Sequence, residues 1–595
     1  MKKNKVTRML ALLLGCTMAL SVTACGDSSA KGSSGEKEEV RKSSEQSSEQ
    51  NQEQSGEEEL EPITLTFGTH STYWGRGGGI FTDEEPVFQW IKDELGIEIE
   101  FVTFDNEKFS LMAAGGDIPD ICVAWSQDGL EELIAAGNVV ALDSLLDEYG
   151  QDIMQKAPIG MASIKYRYGN NETYYGIPLN ASTAGDVPIS NGYETYLVRY
   201  DIWKAIGSPE YSTVDELIDV LVEMQEYVRK ETGDDTYYGM TAYLKDGTWG
   251  FGCGLAAMGY MWGTIEGALN LQTAEMELDF GSADAPWWTV VECVNKAYRA
   301  GVLDPESLTQ DQGTFFQKLI TGKGLSGFAT YTDCNTELAG EEAFLATLPY
   351  EPFNAVRAVY GNNVPGGYGC YVISADCEYP ERAMQLLNLL WSDEGCRAIY
   401  NGVPGVHWDY DEDGVPVFIG DLAAAYEESF SLGSSERNKV SLADNNPVWW
   451  SGGDSLASLD GQAINIEKSE QYLEQGNLPG ETIFAQDYGF SYPAQVYDKW
   501  INEGILKTDK DPRAATTYSL LRANTDEEND LFNAGYNYWM ANLTSVVLAK
   551  TDAEYEAAKA SILENLEALD WGEWTAIWED MYEEAKGIYA SMMEE

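Results

Sequence analysis

Histidine is nearly missing from this chain: His70 and His407 are the only two in 595 residues. That scarcity excludes an HExxH zinc helix and leaves no plausible Ser-His-Asp set. Basic residues are scarce too, 37 Lys and Arg against 99 Asp and Glu, for a net charge of −62. Acidic residues run along the whole chain, so neither nucleic acid nor an anionic surface is expected as a partner. Of nine cysteines, seven follow Cys16 and Cys25: Cys122, Cys253, Cys293, Cys334, Cys370, Cys377 and Cys396. Seven is odd and no CxxC pair occurs, so no disulfide framework and no zinc or other metal site is implied. Most are expected as small buried residues, and a pairing of Cys370 with Cys377 stays open. Beyond the first twenty residues no hydrophobic run is long enough to cross a membrane.

What is present begins with a targeting signal. Lys2, Lys3, Lys5 and Arg8 precede an apolar run from Met9 to Leu20. That run is too short for a membrane span and suits a signal-peptide core. Val22-Thr23-Ala24-Cys25-Gly26 follows. Small residues before a Cys at this place resemble the lipobox of bacterial lipoproteins, which implies diacylation of Cys25. Two acyl chains anchor stably where one does not, at roughly 0.8 kcal/mol per buried CH₂. An ordinary cleaved signal with an incidental Cys is the competing reading. From Gly26 to about Glu61 the chain is nearly all Ser, Gln, Glu, Lys and Gly. Such a stretch buries too little apolar surface to offset its ordering entropy, so a disordered tether is expected. The remaining 500-odd residues exceed one hydrophobic core, and two or more lobes are expected.

Ile63 to Phe67 alternates as a half-buried strand does and ends in the aromatic, glycine-rich loop Gly68 to Gly75. A helix is predicted near Pro86 to Leu95, with Pro86 suited to the first turn, and then a strand over Ile97 to Phe104. This order predicts an α/β layer with parallel strands, whose ligands collect beyond the carboxyl ends of the strands. Tyr196 to Val198 reads as a strand entering a helix at Asp201. Thr213 with Glu216 reads as a capping box. Tyr371 to Ile373 reads as a strand before a helix opened by Pro380, with Ala383, Leu386, Leu387 and Leu390 on one face. Trp574, Ile577, Trp578, Met581, Tyr582, Ala585 and Ile588 form a wide apolar stripe, so those aromatics belong to a core. No internal repeat is found.

Several segments then occur in a known order. Gly115-Gly116-Asp117-Ile118-Pro119-Asp120-Ile121 is similar to the GD-x-PD segment of the family 1 extracellular solute-binding proteins of ABC importers, the maltose-binding relatives. Trp125-Ser126-Gln127-Asp128 follows as in that family, and Leu133 to Asp143 resembles its next helix end. Tyr175-Gly176-Ile177-Pro178 resembles its YGIP segment. Arg199-Tyr200-Asp201-Ile202-Trp203 resembles its crossover helix start, and Gly301 to Glu306 its G-L-x-DPE. Gly322-Lys323-Gly324 resembles its GK-x-G, and Ser392 to Gly395 its S-x-EG. Each motif is weak alone; their shared order spans most of 62–410. The large Gram-positive oligosaccharide-binding lipoproteins are the best match. One departure is Pro404, which stands where relatives have the Glu of YG-x-EG-x-HW. Some relatives hold calcium in an EF-hand-like loop, but Glu231-Thr232-Gly233-Asp234-Asp235 has too few spaced carboxylates, so no calcium is expected there.

The resemblance implies a two-lobe α/β fold of the periplasmic-binding-protein type II class, hinged about a central cleft. It implies a signal peptide over 1–24 and a lipidated Cys25 with a tether over 25–61. It implies an N-lobe of 62–197 plus 366–430 and a C-lobe of 198–365 plus 431–595. It implies a monomer, held by its lipid at the extracellular face of the bacterial cytoplasmic membrane, that captures a carbohydrate without cofactor. The sugar, expected to be an oligosaccharide, would pass to the permease subunits of an ABC transporter.

A sugar ring offers an apolar C–H face and a polar rim, so its site needs flat aromatics with carboxylates, amides or Arg. With 17 Trp and 35 Tyr most aromatics must be core, and those on loops are the better candidates. These are Trp125 with Asp128, Tyr73 with Trp74, Trp249, Tyr331, Tyr368, His407 with Trp408, and Trp449 with Trp450. Each competes with a plain packing role. Arg199 has two readings, a sugar contact and a structural salt bridge at the hinge. Gly75-Arg76-Gly77-Gly78-Gly79 lacks the Lys-Ser/Thr of a phosphate loop and reads as a flexible cleft edge. The rival functions are a secreted glycoside hydrolase, which needs two carboxylates at a set separation, and a binder of peptides or another solute. Spacing alone rules out no carboxylate pair, but no recognisable catalytic motif appears.

Overall fold

Alternating apolar residues lay down the first sheet. In β1 (Ile63–His70) Leu65 and Phe67 face inward and are buried. The helix Pro86–Leu95 follows, with Pro86 in its first turn and Val87, Phe88, Trp90 and Ile91 buried. It returns the chain to β2 (Ile97–Phe104), which pairs parallel to β1 along its full length. Phe101 meets both Phe67 and Phe88, with ring centroids 5.8 and 5.1 Å apart. Each fully buried side chain of this size contributes roughly 1.5–3 kcal/mol. The computed structural model describes residues 61–70, 86–124, 127–179, 181, 195–245, 248–261, 267–277, 279–329, 334–338, 340, 342–356, 364–366, 369–419, 455–475 and 477–594.

The other strands are β3 (Ile121–Ala124), β4 (Ile177–Pro178), β5 (Thr195–Arg199), β6 (Ser326–Ala329), β7 (Leu345–Thr347), β8 (Ala355–Val356), β9 (Cys370–Ile373), β10 (Trp408–Tyr410), β11 (Pro416–Phe418) and β12 (Lys507–Thr508). The first sheet has the order β2-β1-β3-β9-β4. Its first three strands are parallel, as the strand–helix–strand pattern predicts, but β9 runs antiparallel to both β3 and β4. The sheet is therefore mixed. The physical reason is the direction of return: β9 re-enters after a long excursion through the second sheet, from the edge at which β3 ends.

The second sheet, β6-β5-β7, is wholly antiparallel. β8 pairs parallel with β12 across about 150 residues of chain. Two separate cores match the two sheets. One gathers Phe67, Ile121, Met161, Tyr371, Leu387 and Ile464. The other gathers Val198, Leu221, Val291, Phe328, Trp539 and Trp574. The structure is thus α/β with two lobes. The segment 455–475 packs with the first core: Ile464 lies in it, and Asn401 donates to the Ile464 carbonyl at 2.8 Å. The strand β5 belongs wholly to the second sheet.

Local signals account for most helix ends. Thr213 caps Val214–Thr232 by accepting from Glu216 N–H, and the Glu216 carboxylate accepts from the Ser212 N–H and hydroxyl. The helix Pro380–Trp391 buries Ala383, Leu386, Leu387 and Leu390 as its spacing predicts. The helix Trp571–Met592 buries Trp574, Trp578, Met581, Tyr582 and Ala585. Cys370 and Cys377 form no disulfide, and of the seven cysteines after Cys25 all but Cys377 are buried. No helix among the described residues is long and apolar enough to cross a membrane.

Candidate functional site

Pairing fixes which strand ends share an edge. β1, β2 and β3 run parallel and end at His70, Phe104 and Ala124. Ala124 lies opposite Cys370, the first residue of β9, and Cys370 lies opposite Pro178, the last of β4. The Leu179 N–H continues this edge by donating to the Gly369 carbonyl at 3.0 Å. Four predicted residues adjoin the strands of this edge in the sequence. Tyr73 and Trp74 follow the end of β1, Trp125 is the first residue beyond β3, and Tyr368 precedes β9 by two. All four lie outside the described residues. Asp128 lies within the helix Gln127–Ala136 that follows β3.

The second sheet has a matching edge. Thr195, Ala329 and Thr347 lie at one end of β5, β6 and β7. The segment 238–244 runs alongside β6, with Tyr238 bridged in parallel to Gly324 and Thr241 N–H donating to Ser326. It leaves at Lys245, which is exposed, and the helix Thr248–Ala256 follows. Trp249 is in the first turn of that helix. Tyr331 follows β6 by two residues and lies outside the described residues. The chain passes twice between the two edges, from Ala181 to Thr195 and from Val356 to Val364. Seven residues separate Val356 from Val364, so their Cα atoms lie at most about 28 Å apart.

Thr195 anchors the second edge. Its hydroxyl is buried and lies 2.9 Å from both the Thr347 hydroxyl and the Ala355 carbonyl. With the Ala355 carbonyl accepting from Thr195, the Thr347 hydroxyl donates to Thr195, so the edge is rigidly tied. Nothing in the sequence singled out these two threonines, because an isolated Thr carries no positional signal.

Other predicted residues lie elsewhere. Arg199 stands at the opposite end of β5, about 13 Å along the strand from Thr195. Its guanidinium is buried and forms a two-pronged pair with Asp201 at 2.8 and 2.6 Å, and donates to the Gly322 carbonyl at 3.2 Å. Of its two readings, the salt bridge is the one the geometry contains. His407 and Trp408 close a turn after the helix Asp393–Asn401. The Val403 N–H donates to His407 Nδ1 at 2.8 Å, and burial holds the imidazole pKa below its ordinary value. Gly402 has φ of 85°, and a Cβ there would sit 2.5 Å from His407 Nδ1, so only glycine fits. Trp408 is 3% exposed, packs with Phe418 and Ile466, and donates its indole N–H to the Gly402 carbonyl at 2.8 Å. Its ring faces the protein interior. Trp449 and Trp450 lie outside the described residues.

A charged hub beside Trp408 escaped sequence reasoning. Arg397 is 1% exposed and forms two bonds to Asp460, at 2.6 and 2.8 Å, and one to the Tyr410 hydroxyl at 2.8 Å. Its guanidinium carbon lies 5.6 Å from the Trp408 ring centroid. Burial alone would raise the Asp460 carboxyl, but the hydrogen bonds from Arg397 and from the Gln462 N–H reverse this and lower its pKa. Asp234, in the segment weighed for calcium, pairs with Lys323 and accepts from Thr236. Among the described residues no group of His, Cys, Asp and Glu could hold a metal ion.

A cavity of about 340 Å3 opens on the second lobe, between the helices Trp287–Arg299 and Asp552–Ala568. Its cations are already engaged: Lys296 by Asp215 and Glu292, Arg299 by Asp552, and Lys559 by the Ala283 carbonyl.

No protein-family model matches the chain, and no curated protein matches it in sequence. Solved structures match in fold. The ABC-transporter substrate binding protein FusA of S. pneumoniae, in complex with kestose, aligns with a TM-score of 0.57 at 16% identity, over 88% of this chain and 100% of its own. An HMO-binding, ABC-transporter-associated solute binding protein from Bifidobacterium longum infantis aligns with a TM-score of 0.58 at 15% identity, over 89% and 99%. The N-glycan transport solute binding protein NgtS from Streptococcus pneumoniae aligns at 0.53 and 13%, over 89% and 99%. These neighbours are binding proteins, and at such identities the likeness is one of fold.

Proposed function

We propose that this chain is a family 1 solute-binding protein: the carbohydrate-capturing lipoprotein of an ABC importer, which grips an oligosaccharide between its lobes and releases it unaltered to the permease. The observation that carries this reading is a fold shared over nearly the whole length of a binding protein in complex with kestose, an HMO-binding protein and an N-glycan transport protein. The sequence supports it too: Tyr73, Trp74, Trp125, Tyr331 and Tyr368 stand within a few positions of strand ends in the chain. On this reading Cys25 bears the lipid, residues 25–61 form the leash, and the protein works as a monomer at the outer face of the membrane. It is no enzyme.

Tyr73, Trp74, Trp125 and Tyr368 would supply flat faces from the first lobe, and Trp249 and Tyr331 from the second. Asp128, Trp449, Trp450 and the exposed side of His407 complete the proposed set. Covering one sugar face on an aromatic contributes on the order of 1 kcal/mol at about 25 cal/mol per Å2. Several such faces with hydrogen bonds reach about −8 kcal/mol, a micromolar dissociation constant. Only a closed orientation touches the sugar from both lobes, so binding drives closure.

A thermal-shift screen across oligosaccharides tests the proposal. Binding to the native state alone raises the midpoint by mass action. Stabilisation by some sugars, with the sugar recovered intact by chromatography, supports capture. Cleaved products would support the hydrolase reading instead, and stabilisation by peptides alone would move the cargo to another class.

A further inference from the structure

The helix Pro158–Tyr168 belongs to the first lobe by its packing: Met161 lies in the first core, and Gly160 fits against Pro178, Ala181 and the Pro365 carbonyl. Pro158 opens it, Lys165 and Arg167 sit in its last turn, and Gly169 stops it. A Cβ at Gly169 would lie 1.7 Å from the Thr173 carbonyl oxygen, so the tight exit requires glycine.

The other face of this helix meets the second lobe. It packs on the helices Arg513–Ser519 and Trp571–Met592. Tyr166 rests against the second core. Arg167 Nη1 donates to the Ser519 carbonyl at 2.9 Å, and Ser163 Oγ lies 4.0 Å from Met592 Sδ. Ser163 is 4% exposed and Met592 only 7%, although Met592 is in a last helical turn, where helices ordinarily fray. Burial there has its source in the partner helix.

This contact is distinct from the chain crossings at 181–195 and 356–364. It is non-covalent, it combines an apolar seam with the directional bond from Arg167, and rotation of one lobe on the other must shear it. We propose that the helix Pro158–Tyr168 is an inter-lobe brace, which biases the empty protein toward one lobe orientation through Ser163, Tyr166 and Arg167 on one side and Ser519 and Met592 on the other. A packed seam has discrete arrangements and does not deform continuously, so losing it releases the lobes. A ligand that selects one orientation is then tuned from a place it never touches; that consequence rests on the proposed capture function, whereas the brace itself does not.

The test is small-angle X-ray scattering of the soluble, unlipidated protein without sugar, comparing wild type with Arg167→Ala/Met592→Ala and with Arg167→Gln. The double variant is expected to shift the pair-distance distribution away from that of wild type while its near-ultraviolet circular dichroism stays native. The single variant, which removes the bond to Ser519 and leaves the Met592 contact in place, is expected to give a smaller shift in the same direction. Scattering curves that superimpose on wild type for both variants would overturn the proposal. If the double variant loses its native spectrum, the single variant alone decides.

Discussion

Replacing Asp460 by alanine strands a charge. Arg397 is 1% exposed, and its strongest bonds are the two to Asp460 at 2.6 and 2.8 Å. The Tyr410 hydroxyl and two long contacts to backbone carbonyls cannot neutralise the guanidinium that remains. Breaking a buried pair from one side costs about 3–5 kcal/mol, because an uncompensated ion is left in place. In a lobe of this size each kcal/mol moves the midpoint by about 2–4 °C, so Asp460→Ala should lower it by roughly 6–20 °C. The assay is differential scanning calorimetry, which resolves lobes that unfold separately. Only the transition of the first lobe should move, since the second core shares no residue with this hub. The double variant Arg397→Met/Asp460→Leu removes both charges and should recover most of the loss, because an apolar pair of similar volume is often neutral. A midpoint within about 1 °C of wild type for Asp460→Ala would refute the reasoning, as would a double variant worse than the sum of its parts.

Three further outcomes are expected. Asn295 is 1% exposed and donates to the carbonyls of Val546, Val547 and Ala549 at 2.8–3.1 Å, closing the end of the helix Asp526–Val547; Asn295→Ala should cost about 1–3 kcal/mol in urea denaturation of the second lobe. Burial lowers the His407 pKa, so the unfolded chain binds the proton more tightly: the contribution of neutral His407 is complete above about pH 6.5 and is lost as pH falls through the folded value, a slope that His407→Gln should abolish in melts taken across pH 4–8. Trp125→Ala should weaken sugar capture about fivefold, the worth of one ring face on an indole, with an unchanged melting midpoint, as read by calorimetric titration.

Periodicity made much of the fold legible. The stripe of Trp574, Trp578, Met581 and Tyr582 and the strand–helix–strand start could be read directly, since burial follows local spacing there. Long-range pairing could not. The antiparallel entry of β9 and the join of β8 to β12 depend on how the chain returns from the other lobe, and no local pattern encodes that. For the candidate site the sequence offers only position, an aromatic beside a strand end. Arg199 and Trp408 show the limit: a residue type apt for sugar serves equally in an ion pair or beneath a turn, and only partners separate the two. Arg397 was invisible for the complementary reason, since its partner lies 63 residues away in the sequence.

Isothermal titration of the soluble protein with defined oligosaccharides, followed by chromatography of the cell contents, tests the central claim most directly. The account predicts saturation at one sugar per chain, a negative heat-capacity change as apolar ring faces are covered, and recovery of the oligosaccharide at its original length. No heat from any oligosaccharide in the series, or fragments accumulating with time, would contradict it.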